Sequence, residues 1–413
     1  MSAQDVLRQQ IAEVAAPLAR GRADQKTTRL IAFTGLLLAL GYLIVLGAAY
    51  RDGQFLADAR GAPIANDFVN VFAAGQLARD GAPAAAYDWT VHKQAEQRAV
   101  GHRFANYYGW HYPPTFLFAA AALATLPYLA AAIVWLAATL AAYAATLAGI
   151  VGGRAGVFLA LGFPATLWNV TAGQNGFLTA ALIGGTLGLL ERRPALAGLC
   201  LGLLSYKPQF GLLFPIVLIA DRRWRTLAVA AAVALAFAAL SWLAFGAASW
   251  AAFVHWMPVT SRAVLGQGAA EFSRLQSLFG FARAHGASES AAWAVQAVGS
   301  AAVAAGLVWL WRSRAAFEVK AAALAAGTLI ATPYVYMYDF AVLAVAIAFL
   351  ARLASRCGFT VAETVALPAA GLLILAFPYA KTQVGLAAAL MVLVLAVQRA
   401  LAPPPAPAPA RIL

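Results

Sequence analysis

The sequence predicts an all-α fold, a polytopic transmembrane helix bundle of about 12 spans with a large polar loop between the first two. Three observations predict it. Of the 413 residues, 63% are hydrophobic and 11% charged, whereas soluble domains run nearer half apolar and a quarter charged. Apolar runs recur along the chain at lengths suited to crossing ~30 Å of hydrocarbon, which takes ~20 helical residues. The short breaks between them alternate in basic content, as loops on opposite sides of a bilayer do. The same composition excludes a disordered chain, a nucleic-acid module and a secreted disulfide scaffold. The net charge of +13 is scattered over segment ends, so it reads as topology and not as a nucleic-acid footprint. Cys200 and Cys357 lie far apart in apolar runs and read as small hydrophobes.

Residues 1–28 form an N-terminal segment whose basic residues, Arg8 to Lys26, hold it in the cytoplasm. Leu7, Ile11, Val14 and Leu18 recur at helical spacing, as an interfacial or a capping helix. The membrane body covers 29–401. Its first span, 30–50, is too deep in the chain and too long for a secretory signal. An outer loop carrying short helices follows at 51–112. Spans are expected at 114–150, 155–171, 177–190, 194–206, 208–220 and 226–246. A second outer loop occupies 247–290, before spans at 291–311, 317–333, 340–351, 361–377 and 384–398. An even count returns the chain to the cytoplasm, where 402–413 makes an extended Pro-rich tail. On this scheme 18 of the 29 Lys and Arg residues lie inside.

Two stretches do not fit single spans. Residues 114–150 are too many and contain Leu126-Pro127, which suggests a dipping half-helix followed by a full span. Residues 194–220 are too few for two, which suggests a broken hairpin with Lys207-Pro208 at its tip. Broken backbone at membrane depth survives only where protein or a watery cavity satisfies it.

Titratable residues collect on the outer side: all five histidines, and nine of the 16 Asp and Glu. Solvation alone accounts for many of them. Asp67 begins a segment whose Phe68, Val71, Phe72 and Gly75 suit one buried helix face. It reads either as the helix N-cap or as a general base held beside the bilayer. Tyr107 to Tyr112 is an aromatic stretch entering a span, either an interfacial anchor or a platform for a sugar ring, with Arg103 and His111 as candidate phosphate contacts. Gln174 and Asn175 place two amides at an outer turn, where they suit sugar hydroxyls or phosphate oxygens. Lys207 is a lone ammonium in apolar surroundings. It must snorkel to water or meet an anion, either a bound phosphate or an outer carboxylate. Asp339, after Tyr338, pairs Lys207 or caps the next helix. No zinc-type histidine cluster, nucleophile elbow, Walker loop or dinucleotide fingerprint is present. Chemistry driven by ATP or nicotinamide is therefore disfavoured. No cofactor is expected, and a divalent metal is left open.

The ordered pieces resemble glycosyltransferase family 87, the DUF2029 group of bacterial membrane glycosyltransferases in the GT-C class. They are Asp67-Phe68, Gly81, Tyr87-Asp88, Tyr112-Pro113-Pro114, Gly173-Gln174-Asn175, the run from Pro194 through Gly198 and Gly202 to Lys207-Pro208, Gln276 to Gly280, and Thr332-Pro333. Tyr338-Asp339 stands where the resemblance leads one to expect a histidine-containing turn. The resemblance implies an inverting hexosyltransferase that moves a sugar, mannose first, from a polyprenyl-phosphate donor to a glycolipid or glycan acceptor. It places that reaction on the outer side of the cytoplasmic membrane. It also implies Asp67 as catalytic base; the candidate contacts to donor phosphate or sugar are Lys207, Gln174, Asn175, Arg103, His111, Tyr112, Gln276, Tyr338 and Asp339. The rival reading of such a chain is a secondary transporter or a lipid-linked-sugar flippase, and the lack of a fixed-period internal repeat weakens it.

Overall fold

In the computed structural model of the protein, residues 25–402 are described except 60, 62 and 270. The expected stripe from Leu7 to Leu18 and the Pro-rich tail past 402 lie outside the described residues. The all-α expectation holds. Helix α1 (Gln25–Arg51) leads to a two-residue antiparallel pair, β1 (Leu56–Ala57) with β2 (Pro63–Ile64), and then to α2 (Phe68–Arg79) and α3 (Trp89–Val100). The bundle continues through α4 (Leu117–Leu123), α5 (Tyr128–Val151), α6 (Arg154–Gly162), α7 (Ala165–Ala172), α8 (Gly176–Leu189), α9 (Pro194–Leu203) and α10 (Leu213–Ala220). It closes with α11 (Trp224–Ser261), α12 (Leu278–Ala284), α13 (Glu289–Arg312), α14 (Phe317–Ile330), α15 (Ala341–Cys357), α16 (Val361–Leu375), α17 (Phe377–Ala380) and α18 (Val384–Leu401).

Each of the twelve expected segments is helical, but fewer are long enough to cross alone. Six helices qualify by length and composition, or seven if the bent pair α6–α7 counts as one. Proline accounts for part of the shortfall. Pro164 bends that pair by 61°. Pro127 starts α5 after a separate short helix, so 114–150 splits as expected into a half-helix and a span. Pro208 divides α9 and its 3-10 end from α10, which makes the expected broken hairpin. A 14-residue helix such as α8 reaches only ~21 Å, well short of the hydrocarbon core.

The helices sort by exposure. Two-thirds of the apolar window at α15 is buried, against 11% for α1 and α11. A helix apolar all round belongs inside other helices or in lipid. The outward residues of the lipid-type helices are large and bare: Ile44 is 74% exposed, Leu243 80% and Val298 71%. Water would not tolerate such a belt, so the chain is a multi-pass membrane protein. Where α9 meets α11, Gly198 and Gly202 permit close approach. A Cβ on Gly202 would lie 2.5 Å from Val233 Cβ, and one on Gly198 would lie 2.7 Å from the Thr226 carbonyl oxygen.

The bundle has two chemically distinct ends. At one, Arg352 and Arg356 reach Glu318 at 3.4 and 3.0 Å, and Arg399 Nε donates to Glu363 Oε1 at 2.6 Å. At the other lie the N-termini of α15 and α18 and the turn between α7 and α8. Part of 247–290, expected as an outer loop, is helical. Residues beyond Gly246, whose φ of +77° breaks α11, resume as helix to Ser261. The reason is aromatic packing: Phe253 meets Tyr87, and Trp256 stacks on Trp89 at 5.9 Å.

Candidate active site

Asp67 precedes α2, whose Phe68, Val71 and Phe72 are buried as the pattern requires. It occupies the N-cap position, yet its side chain makes no cap hydrogen bond. The backbone explains where it points instead. Asn66 and Asp67 donate their N–H groups to the carbonyls of Thr171 and Ala172, at 3.4 and 2.7 Å, which docks this corner onto the end of α7. Gly173 follows with φ +71°, and a Cβ there would meet Ala65 Cβ at 2.5 Å. That tight approach brings Gln174 to Asp67, and its Nε2 donates to Asp67 Oδ2 at 3.0 Å. The other end of the amide is fixed as well. Gln174 Oε1 accepts from the Tyr112 hydroxyl at 3.1 Å and from the Asn175 N–H at 3.3 Å. The carboxylate is therefore aimed by a buried amide, and Asp67 itself is half-buried. Burial pushes Asp67 above the ordinary carboxylate range, while the Gln174 hydrogen bond and the Arg274 charge hold part of that rise back.

Lys207 does not snorkel. It is buried, and its Nζ donates to Asp339 Oδ1 at 2.6 Å, with the rings of Tyr338 and Phe210 beside it at 5.2 and 5.3 Å. Asp339 Oδ2 accepts the Tyr336 N–H at 3.1 Å, so this carboxylate both pairs the lysine and caps its own turn. The two centres share an aromatic floor. Tyr206 lies 6.4 Å from Tyr112 and stacks on Phe116 at 4.8 Å, and its hydroxyl meets Thr179 Oγ1 at 2.6 Å. Asn169 Nδ2 donates to the Tyr338 carbonyl at 2.6 Å, which ties the α7 end to the Asp339 turn. Asp339 and Asp67 both act on the hydroxyls of Tyr112 and Tyr336 and help burial push them up. Asn175 is buried with neither amide atom hydrogen-bonded at standard geometry, near the Tyr112 hydroxyl.

The remaining expected residues sit elsewhere. Arg103 is exposed in the stretch after α3, and no hydrogen bond or ion pair joins its side chain to the cluster. His111 is exposed, with its Nδ1 3.4 Å from Thr260 Oγ1. Gln276 is fully buried and spends its whole amide on the fold: Nε2 donates to Ser273 O at 2.8 Å, and Oε1 accepts from Gly385 N at 2.9 Å. Trp110 and Tyr112 are core residues instead of a membrane-surface anchor, with Trp110 stacked on Phe116 at 5.6 Å.

Sequence reasoning passed over Tyr206, Tyr336, Arg274 and the buried set on α3. His92 and Glu96 are fully buried, 3.6 Å apart, with no standard hydrogen bond to any of their four polar side-chain atoms. Burial pushes Glu96 up to about 8 and His92 down to about 3, so this pair is largely neutral at pH 7. Asp67's charge adds to the rise at Glu96. The i,i+4 spacing of the pair was the available signal, hidden in a helix with a polar pattern. Among the described residues no group of three His, Cys, Asp or Glu is placed to hold a metal ion.

Fold and site together define a multi-pass helical membrane protein with a cluster of polar and aromatic side chains at one end and an oriented carboxylate within it. The model of glycosyltransferase family 87 matches residues 110–333, more than half of the chain, and the chain belongs to that family. It is a glycosyltransferase. The matched range contains Tyr112, Gln174, Asn175, Lys207 and Gln276. Asp67 lies before it and Asp339 after it, and each is joined to the matched range by a hydrogen bond. Neither the curated proteins nor the solved structures compared with it give a match.

Proposed function

We propose that the protein transfers a hexose, mannose first among candidates, from a polyprenyl-phosphate donor to a hydroxyl of a glycolipid or polysaccharide. The reaction runs in one inverting displacement. Asp67 takes the acceptor hydroxyl proton, the acceptor oxygen bonds to the anomeric carbon, and the bond from that carbon to the phosphate oxygen breaks. The electron pair leaves with polyprenyl phosphate. A β-linked donor then gives an α-linked product. The observation that carries this reading is the carboxylate at a helix start that caps nothing and is held instead by Gln174 at 3.0 Å. A base must be oriented and partly desolvated, and Asp67 is both.

A donor with a lipid tail suits a site at the end of a bundle whose flanks are bare apolar side chains. The outer side suits it too, because the opposite end gathers Arg352, Arg356 and Arg399, and basic ends face the cytoplasm. Purified protein is incubated with radiolabelled polyprenyl-phosphate hexoses and pentoses and, separately, with nucleotide sugars. Transfer from a polyprenyl-phosphate sugar alone is expected. Transfer from the nucleotide sugars alone overturns the donor assignment, and a reporter fused within 51–112 that remains cytosolic overturns the sidedness.

A further inference from the structure

Lys207 is a poor phosphate ligand as it stands, because a buried carboxylate 2.6 Å away already neutralises it. A departing phosphate monoester needs a cation that is free to meet it. We propose that Arg274 is that cation: its guanidinium binds the donor phosphate beside Asp67 and holds it through departure.

The backbone that carries Arg274 is anchored on both sides. Gln383, nearly buried, donates its Nε2 to the Phe272 carbonyl at 3.0 Å, and Gln276 donates to the Ser273 carbonyl at 2.8 Å. Arg274 donates its own N–H to the Glu271 carbonyl at 3.0 Å. Phe272 is further clamped beneath the Arg283 guanidinium, 4.5 Å from its ring, on a small core of Leu265, Leu275 and Phe279. Two buried glutamine amides committed to consecutive carbonyls is a costly arrangement for a mere surface turn. It fixes where Arg274 starts. The side chain beyond is 63% exposed, and its ion pair is with an equally open Glu271, 3.7 Å away. That exposed pair contributes little and is readily exchanged for a phosphate. The segment lies against the Asp339 turn: Gln276 donates its N–H to the Val335 carbonyl at 2.9 Å, and Tyr336 packs on the same small core, so the Arg274 charge acts on Asp67, Tyr108 and Tyr336.

This inference rests on the phosphate-linked donor proposed above. In the displacement, negative charge grows on the phosphate oxygens as the carbon–oxygen bond breaks. A planar fork of N–H donors meets two of those oxygens at once, which an ammonium does not do. Gln276 is then a positioning residue that acts through Arg274, which accounts for an amide used entirely within the fold.

The test uses the full chain and a radiolabelled polyprenyl-phosphate mannose that the wild type turns over, or whichever sugar donor the wild type does accept. Arg274→Ala is expected to lower kcat about 100-fold or more, with Arg274→Lys between it and the wild type. Added guanidinium ion is expected to restore part of the Arg274→Ala rate. The acid limb of its rate profile moves to higher pH, because a charge that favours ionised Asp67 is gone. Affinity for polyprenyl phosphate falls by a similar factor, while that for the uncharged polyprenol stays unchanged. Arg51→Ala, an exposed arginine at the end of α1, serves as the control and keeps full activity. Full activity in Arg274→Ala overturns the inference and leaves the donor assignment standing. So does equal loss of polyprenol and polyprenyl phosphate binding. Should the alanine variant misfold, an Arg274→Lys enzyme with wild-type kcat and wild-type polyprenyl phosphate affinity overturns it as well. A wild type that transfers only from nucleotide sugars sinks the lipid donor, and the guanidinium rescue then reads Arg274 against a diphosphate leaving group.

Discussion

Replacing Lys207 by methionine keeps the length and apolar stem of the side chain and removes its charge. Asp339 is left buried with one oxygen on the Tyr336 N–H and nothing on the other. At 2.6 Å and an effective dielectric of ~20, the lost attraction is ~6 kcal/mol before desolvation is subtracted. Stranding one member of a buried pair costs about 3–5 kcal/mol in comparable cases. Lys207→Met should therefore destabilise the protein by about that amount, read as unfolding in detergent by tryptophan fluorescence or thermal aggregation. The double variant Lys207→Met, Asp339→Asn should recover most of the loss, since an asparagine carbonyl still accepts the Tyr336 N–H and no charge remains stranded. A Lys207→Met protein as stable as the wild type, with its defect confined to donor affinity, would refute the reasoning and make Lys207 a phosphate ligand after all.

Two further outcomes follow from the same geometry. Gln174→Leu removes a hydrogen bond that favours ionised Asp67, so the acid limb of the rate profile should move to higher pH and the rate at pH 7 should fall about 10–100-fold; an unchanged limb contradicts the orientation role. Glu96 holds its proton to about pH 8 when folded but loses it near 4.5 when unfolded, so the wild type loses stability as pH rises through that window. Glu96→Gln carries no such penalty and should be more stable by roughly 3 kcal/mol at pH 7, the gap opening from pH 4.5; parallel stability curves contradict the burial account.

The helical body was legible because hydrophobicity and proline are local signals. Leu126-Pro127 and Lys207-Pro208 marked breaks that the fold contains. Crossing number was less legible, since Pro164 bends one expected span and several segments stop short of bilayer thickness. The helix beyond Gly246 was not legible because it is held by Trp89 and Tyr87, distant partners that no window on 247–261 contains. In the site, Asp67 and Gln174 carried their own signal, a polar residue at the edge of an apolar run. Lys207 posed its question correctly, and only the tertiary fold identified Asp339 as the answer among the candidate anions. Arg274 was invisible for the opposite reason. An arginine in a polar loop looks like solvated surface, and its distinction is the pair of glutamines that hold its backbone, one of them more than a hundred residues away.

The central claim is that the Asp67 carboxylate removes the acceptor proton. Its most direct test is the single-turnover rate of Asp67→Asn on a preformed complex with labelled donor, with donor affinity measured on the same preparation. A fall of about 100- to 10,000-fold in rate with affinity within a few-fold of the wild type is the predicted result. A rate within ten-fold of the wild type, or a loss that follows donor affinity alone, would contradict it.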